Sequence, residues 1–202
     1  MSNISMTTSK RNAIVTVMLI SAFVSMLNQT ILNTALPAII KGLNITETTA
    51  QWLITGFMLV NGIMIPLTAF LMDKYSTRHL YIFSMAIFLI GSIIAAFSPT
   101  FTILMISRII QAIGAGILLP LMQFTVFTLF PAEQRGFAMG LAGVVVQSAP
   151  AIGPTLTGLF VDLFSWRMPF YLVSAIAAVA FILGFFFVEN NTKTKDIVLD
   201  KI

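Results

Sequence analysis

The chain has 202 residues, of which 58% are hydrophobic and only 9% charged, whereas a soluble domain is about 25% charged. Its mean hydropathy is +0.98. Cysteine is absent, which excludes a disulfide framework and a thiolate metal site. The net charge of +4 sits in short loops and tails, as a membrane topology requires, and does not point to nucleic acid.

The spans follow in chain order. Residues 1–12 read as a cytoplasmic tail ending in Lys10, Arg11 and Asn12. It is not a cleavable leader, because the apolar run behind it is too long and no small-residue cleavage site follows. The first span is expected from Ala13 to Leu36, closed by Pro37. Lys41–Thr49 is a loop carrying the Asn-Ile-Thr and Glu-Thr-Thr pattern of a helix start. The second span runs from Gln51 to Met72, and Asp73–Arg78 is a tight charged turn. The third covers Leu80–Phe97 and stops at Ser98-Pro99; the fourth covers Phe101–Phe130. Pro131 and Glu133 suit the start of a fifth span reaching Leu163. The sixth is expected at Met168–Val188. Each is long enough for the roughly 20 residues a bilayer needs. Glu189–Ile202 is polar, either a cytoplasmic tail or the start of a linker to a missing half. The expected fold is an all-α membrane protein, a six-helix bundle over residues 13–188.

Basic residues orient it. With the N-terminus inside, the inner segments hold Lys10, Arg11, Lys74, Arg78, Arg135, Lys193, Lys195 and Lys201, and the outer loops hold only Lys41 and Arg167. Both termini are therefore expected in the cytoplasm, with the bundle in the cell membrane.

The chain also repeats itself. Leu67–Arg78 and Leu156–Arg167 share the pattern Leu-Thr-small-x-x-x-Asp-x-aromatic-Ser-x-Arg at a constant offset of 89 residues. One copy follows the second span and the other the fifth, so they lie on opposite sides of the membrane. Residues 13–98 and 101–188 then form two inverted three-helix repeats, an arrangement typical of secondary transporters. No phosphate loop, metal cluster or nucleophile–base pairing is visible, so the chain does not read as an enzyme. Transport would draw on an ion gradient and need no cofactor.

Arg108 is the one charged residue well inside a span. Arginine at mid-membrane costs roughly 2.5–3.5 kcal/mol on insertion scales, so it must face protein or water and have partners. Gln111 shares its face. Arg108 lies roughly 10 Å below Phe101, and Asn28 roughly 13 Å below Pro37. Asn28, Gln29 and Asn33 therefore form, with Arg108 and Gln111, a candidate substrate or proton site between the first and fourth spans. The alternative is an arginine held by carbonyls and amides as structural glue.

On the fifth span, Gly136, Gly140, Gly143, Gln147, Pro150, Pro154 and Gly158 fall on one narrow helical stripe. Such a stripe lets another backbone come close, and its prolines free carbonyls, so a helix interrupted in its outer half suits a moving contact. A static packing site is the plainer reading. Asp73 and Arg78 would act as a gating latch on a neighbouring bundle, or simply as the charged cap of a short loop. Trp52 and Trp166 read as interfacial anchors.

Four of these segments resemble motifs of the major facilitator superfamily. They are Leu27–Pro37, Asp73–Arg78, Arg108–Gly116, and Gly143 with Ala149–Gly158. Within it they are most similar to the drug:proton antiporters of about fourteen helices, whose halves are built from inverted repeats. The resemblance covers the N-terminal six-helix half only. It implies a role for the Arg108 segment in proton transfer, and for Gly143, Pro150, Gly153, Pro154 and Gly158 in the direction of exchange. The pattern departs from the family at Asn28, where an aspartate is often found, at Ala69 and Ser76, usually glycines, and at Thr157 before Gly158. With Asn28, no carboxylate remains at membrane depth. The implied function is proton-coupled efflux of amphipathic, including cationic, small molecules. Its partners would be the lipid bilayer, a small-molecule substrate, and a second helical half or a second copy. The alternatives are a metabolite carrier of the same fold and a truncated, non-transporting membrane protein.

Overall fold

The computed structural model describes residues 7–188. Among them are six helices: α1 (Thr8–Leu43), α2 (Glu47–Lys74), α3 (Thr77–Ala96), α4 (Phe101–Leu129), α5 (Ala132–Leu163) and α6 (Met168–Phe187). All six are long and apolar enough to cross a membrane. The proposed tail or linker at Glu189–Ile202, with Lys193, Lys195 and Lys201, lies outside the described residues.

Three helix starts are set by hydroxyl caps. The side chains of Thr46, Ser76 and Thr100 accept from the amides of Thr49, His79 and Ile103, satisfying donors that a helix start leaves free. Thr46 and Glu47 belong to the helix-start pattern of the sequence, but they begin α2 four residues before Gln51. Polar residues at the ends are simply absorbed as capped turns.

Two proline expectations are corrected. Pro37 does not close α1, which continues for another turn and a half to Leu43 and ends on Asn44 in the left-handed region at φ 51°. Asn28 is therefore farther from the true helix end than its distance from Pro37 suggested. Nor is α5 interrupted: Pro150 and Pro154 both lie inside one continuous helix. Each proline removes one hydrogen bond, and both are exposed on the same line, so the inward line of bonds is left intact.

α1, α3 and α4 form the buried interior, while α2, α5 and α6 turn more surface outward. The closest packing is α3 on α4, then α2 on α4 and α1 on α5. The last two pairs are equivalents under the 89-residue repeat, as α1 corresponds to α4 and α2 to α5. Glycine makes the approaches possible. A Cβ on Gly114 would sit 2.8 Å from Phe88 Cβ, and one on Gly116 would sit 2.9 Å from Asn61 Oδ1. In lipid, where apolar burial drives little helix association, such contacts carry the packing. α6 meets α3 where Gly184 leaves room for the Tyr81 ring, whose hydroxyl donates to Ala180 O at 2.8 Å and lies 2.8 Å from Ser21 Oγ of α1.

Candidate functional site

The polar centre of the bundle lies where α1, α3 and α4 meet. The Arg108 side chain is 1% exposed. Its Nη1 donates to Gln111 Oε1 at 2.8 Å, and its guanidinium stacks 4.1 Å from the centre of the Phe57 ring of α2. The same Gln111 oxygen accepts from Asn28 Nδ2 at 3.3 Å, and Gln111 Nε2 donates to Ser92 Oγ at 3.0 Å. Ser92 Oγ in turn donates a hydrogen bond to Phe88 O at 2.8 Å. Gly91 places Ser92 there, because a Cβ at 91 would lie 2.8 Å from the Gln111 backbone nitrogen and hold the helices apart.

No carboxylate among the described residues pairs with Arg108. Its charge is met by one amide oxygen and one aromatic face. Asn28 Oδ1 and Arg108 Nε are buried without a protein partner. A buried donor and a buried acceptor left unpaired are costly, so the centre is not optimised for stability.

Asn28, Arg108 and Gln111 thus come together as the sequence suggests. Gln29 is only half-buried and Asn33 is exposed on α1, and neither joins the cluster. Gln147 is exposed on α5, away from it. Phe57 and Ser92 were not anticipated; one phenylalanine among 18 carries no distinguishing mark in a sequence.

The stripe on α5 is real as a face but has no helix on it in this bundle. Gly143, Pro150 and Pro154 are exposed, and a Cβ on Gly136, Gly140, Gly143 or Gly158 would meet nothing within 4 Å. Gly153 belongs to a neighbouring, buried line. There it packs against Thr30 and Leu27, so the first and last of the four motif segments touch.

Next to the stripe, Met26, Leu119, Met122, Gln123, Met139 and Gln147, with neighbours on α5, line a groove of about 230 Å³ between α1, α4 and α5. A larger apolar groove of about 420 Å³, between the end of α2 and the start of α3, holds none of the expected substrate-path residues.

The charged turn is used within the bundle. Arg78 Nη2 donates to Phe185 O of α6 at 3.2 Å, while Asp73 is exposed. His79 Nδ1 lies 2.7 Å from Ser76 Oγ, a capping contact. Trp166 is not an exposed anchor: it is 6% exposed, packed edge-on to Phe170 and against Gly42, whereas Trp52 is 56% exposed.

The Major Facilitator Superfamily model matches residues 18–200. Among curated relatives, the uncharacterized MFS-type transporter YcnB of Bacillus subtilis is 50% identical over 94% of this chain and 40% of its own length. The lincomycin resistance protein LmrB of the same species is 40% identical over 88% of this chain and 37% of its own. Its multidrug transporter protein MdtP is 32% identical over 86% of this chain and 32% of its own. The chain therefore spans about two fifths or less of the length of these relatives.

Proposed function

The chain belongs to the major facilitator superfamily, and from that premise we propose that it forms the N-terminal half of a proton-coupled exporter of amphipathic small molecules in the cell membrane, with both termini cytoplasmic. The observation that carries this reading is Arg108, a fully buried cation with no carboxylate among the described residues to answer it. Mid-membrane charge of that kind is expensive and is kept where a proton or substrate path needs it. Two relatives named for lincomycin resistance and multidrug transport support efflux over metabolite uptake.

A second helical half fits the outward faces of α2 and α5. Leu59, Ile63 and Phe70 on α2 and Phe137, Leu141 and Val144 on α5 are all exposed. The side-chain-poor line of α5 offers such a partner a close approach. Energy would come from the proton gradient, without a bound cofactor.

The test is movement of a fluorescent amphiphile by the complete protein in proteoliposomes under an imposed proton gradient. Export that rises with the gradient and stops with a protonophore is expected. Movement indifferent to the gradient would defeat the coupling, and gradient-driven uptake of a metabolite in whole cells would favour the carrier reading.

A further inference from the structure

We propose that the groove between the end of α2 and the start of α3 holds one anionic phospholipid of the surrounding bilayer. Its phosphate would lie between Lys74 and His79, and an acyl chain along Leu71, Leu80 and Phe83. This goes beyond the proposed function and does not depend on it.

The groove follows from the packing. α2 and α3 both pack closely on α4 and scarcely touch each other, although only Tyr75 and Ser76 separate them in the chain. Leu71 and Tyr75 line it from α2 and the turn, and His79, Leu80 and Phe83 from α3, around a volume of about 420 Å³. Leu71 and Tyr75 are four residues apart, as are His79 and Phe83, so the groove is about one helical turn, roughly 6 Å, tall. A partner helix lying along the bundle needs a seam of several turns. A single flexible chain needs no more than this. Tyr75 and Phe83 are exposed, so the walls stay open to the bilayer.

The mouth of the groove is cationic. Lys74 is exposed, and its Nζ lies 5.9 Å from the centre of the Tyr75 ring, which is part of the wall. His79 is exposed as well, and its Nδ1 is taken by Ser76 Oγ at 2.7 Å. That leaves His79 Nε2 and the Tyr75 hydroxyl without a hydrogen bond among the described residues. The positive end of the α3 dipole adds to the same potential. Arg78 adds charge but no contact, because its guanidinium is turned to Phe185 of α6.

The lining also selects the headgroup. No acidic residue lines the groove, and Asp73, though exposed in the last turn of α2, stands outside it. A phosphodiester therefore meets an ammonium, an imidazole and a phenol. The extra ammonium of a zwitterionic headgroup gains no counter-charge there and faces Lys74. The level is right for a lipid: charged residues at a helix end mark the headgroup region, and the apolar wall behind them marks the start of the acyl chains.

The test is native mass spectrometry of the complete protein in detergent, offered equal amounts of dioleoylphosphatidylglycerol and dioleoylphosphatidylcholine. One phosphatidylglycerol should be retained, at least about tenfold in preference to phosphatidylcholine. Lys74→Gln should weaken that retention about fivefold, and Lys74→Gln with His79→Gln should abolish the preference. Phe83→Ala, which removes apolar wall, should weaken retention of phosphatidylglycerol about fivefold. Lys41→Gln removes the same charge at the other end of the bundle and should change nothing. All these side chains but Phe83 are polar, all are exposed, and melting temperatures should be unchanged; Lys74→Gln alone decides if the double variant unfolds. Equal retention of the two lipids overturns the proposal, as does a preference that survives the double variant or falls equally with Lys41→Gln. Glycerophosphoglycerol, the headgroup without chains, should not compete; competition would make the site one for free anions. No retained lipid at all, as a helix or a second copy covering the groove would give, also overturns it.

Discussion

Arg78 and Arg167 make the same bond at opposite ends of the bundle. Arg78, in the first turn of α3, donates to Phe185 O in the last turn of α6; Arg167, at the start of α6, donates to Ser98 O just past the end of α3, at 2.8 Å. Each stacks on an aromatic ring beside its bond, Arg78 on Phe185 and Arg167 on Trp166. The two arginines are 89 positions apart, the offset of the repeat. α3 and α6 thus run antiparallel, each placing a cation on the negative end of the other.

The two bonds differ in exposure, and their loss should differ accordingly. Arg167→Ala should destabilise the bundle by about 1–2 kcal/mol, since a partly buried charged bond is lost. Arg78→Ala should cost less, because its longer bond is open to solvent. The sites lie at opposite ends, so the double variant should be additive. Denaturant unfolding in detergent checks all three; strong coupling would contradict the picture of two independent caps.

The glycines should fall into a graded series. At Gly114 a Cβ meets backbone atoms of α3, so Gly114→Ala should cost about 2–3 kcal/mol. At Gly153 it meets the side chains of Thr30 and Leu27, which can give a little, and the cost should be smaller. At Gly143 it meets open space, and Gly143→Ala should be neutral or stabilise α5 by up to about 1 kcal/mol. Melting temperatures in this order support the packing; a Gly143→Ala as harmful as Gly114→Ala would show that the stripe is already occupied.

Absence of cysteine makes the orientation easy to test. Lys41 in the last turn of α1 and Lys74 in the last turn of α2 are exposed at opposite ends of the bundle. In intact cells a membrane-impermeant maleimide should label Lys41→Cys at once and Lys74→Cys only after permeabilisation. The reverse pattern would invert the topology.

Asn28 and Arg108 are within about 6 Å of each other, because both reach Gln111 Oε1. A carboxylate at 28 would meet a cation whose desolvation has already been incurred. Asn28→Asp should therefore melt no lower than the parent, whereas Asn28→Ala, which leaves Gln111 with one donor fewer, should melt lower. A strongly destabilised Asn28→Asp would mean that Arg108 does not face residue 28.

Much of this was legible because the bilayer imposes strict rules. Apolar length located all six spans, and the repeat divided them into two three-helix units, but it did not say that α1 packs on α5 and α2 on α4. Arg108, Gln111 and Asn28 were readable because a polar residue in lipid must find partners. Helix ends were not, since Pro37, Pro150 and Pro154 mark breaks only where the surroundings fail to compensate. Nor could a single sequence show which line of α5 faces inward. Gly143 and Gly153 share a motif, yet one is exposed and the other buried on the same helix. Ser92 completes the arginine site because Gly91 and Gly114 draw α3 against α4, and Phe57 because Gly56 and Gly116 draw α2 against it, which is a property of packing and not of pattern.

The central claim is that Arg108 is kept for function and not for stability. The direct test is Arg108→Met in the complete protein, scored by gradient-driven efflux and by melting temperature together. Methionine fills similar space without a buried charge, so the variant should melt at or above the parent while efflux is lost. Efflux at the parent's rate would contradict the claim, and a large fall in melting temperature would return Arg108 to the role of structural glue.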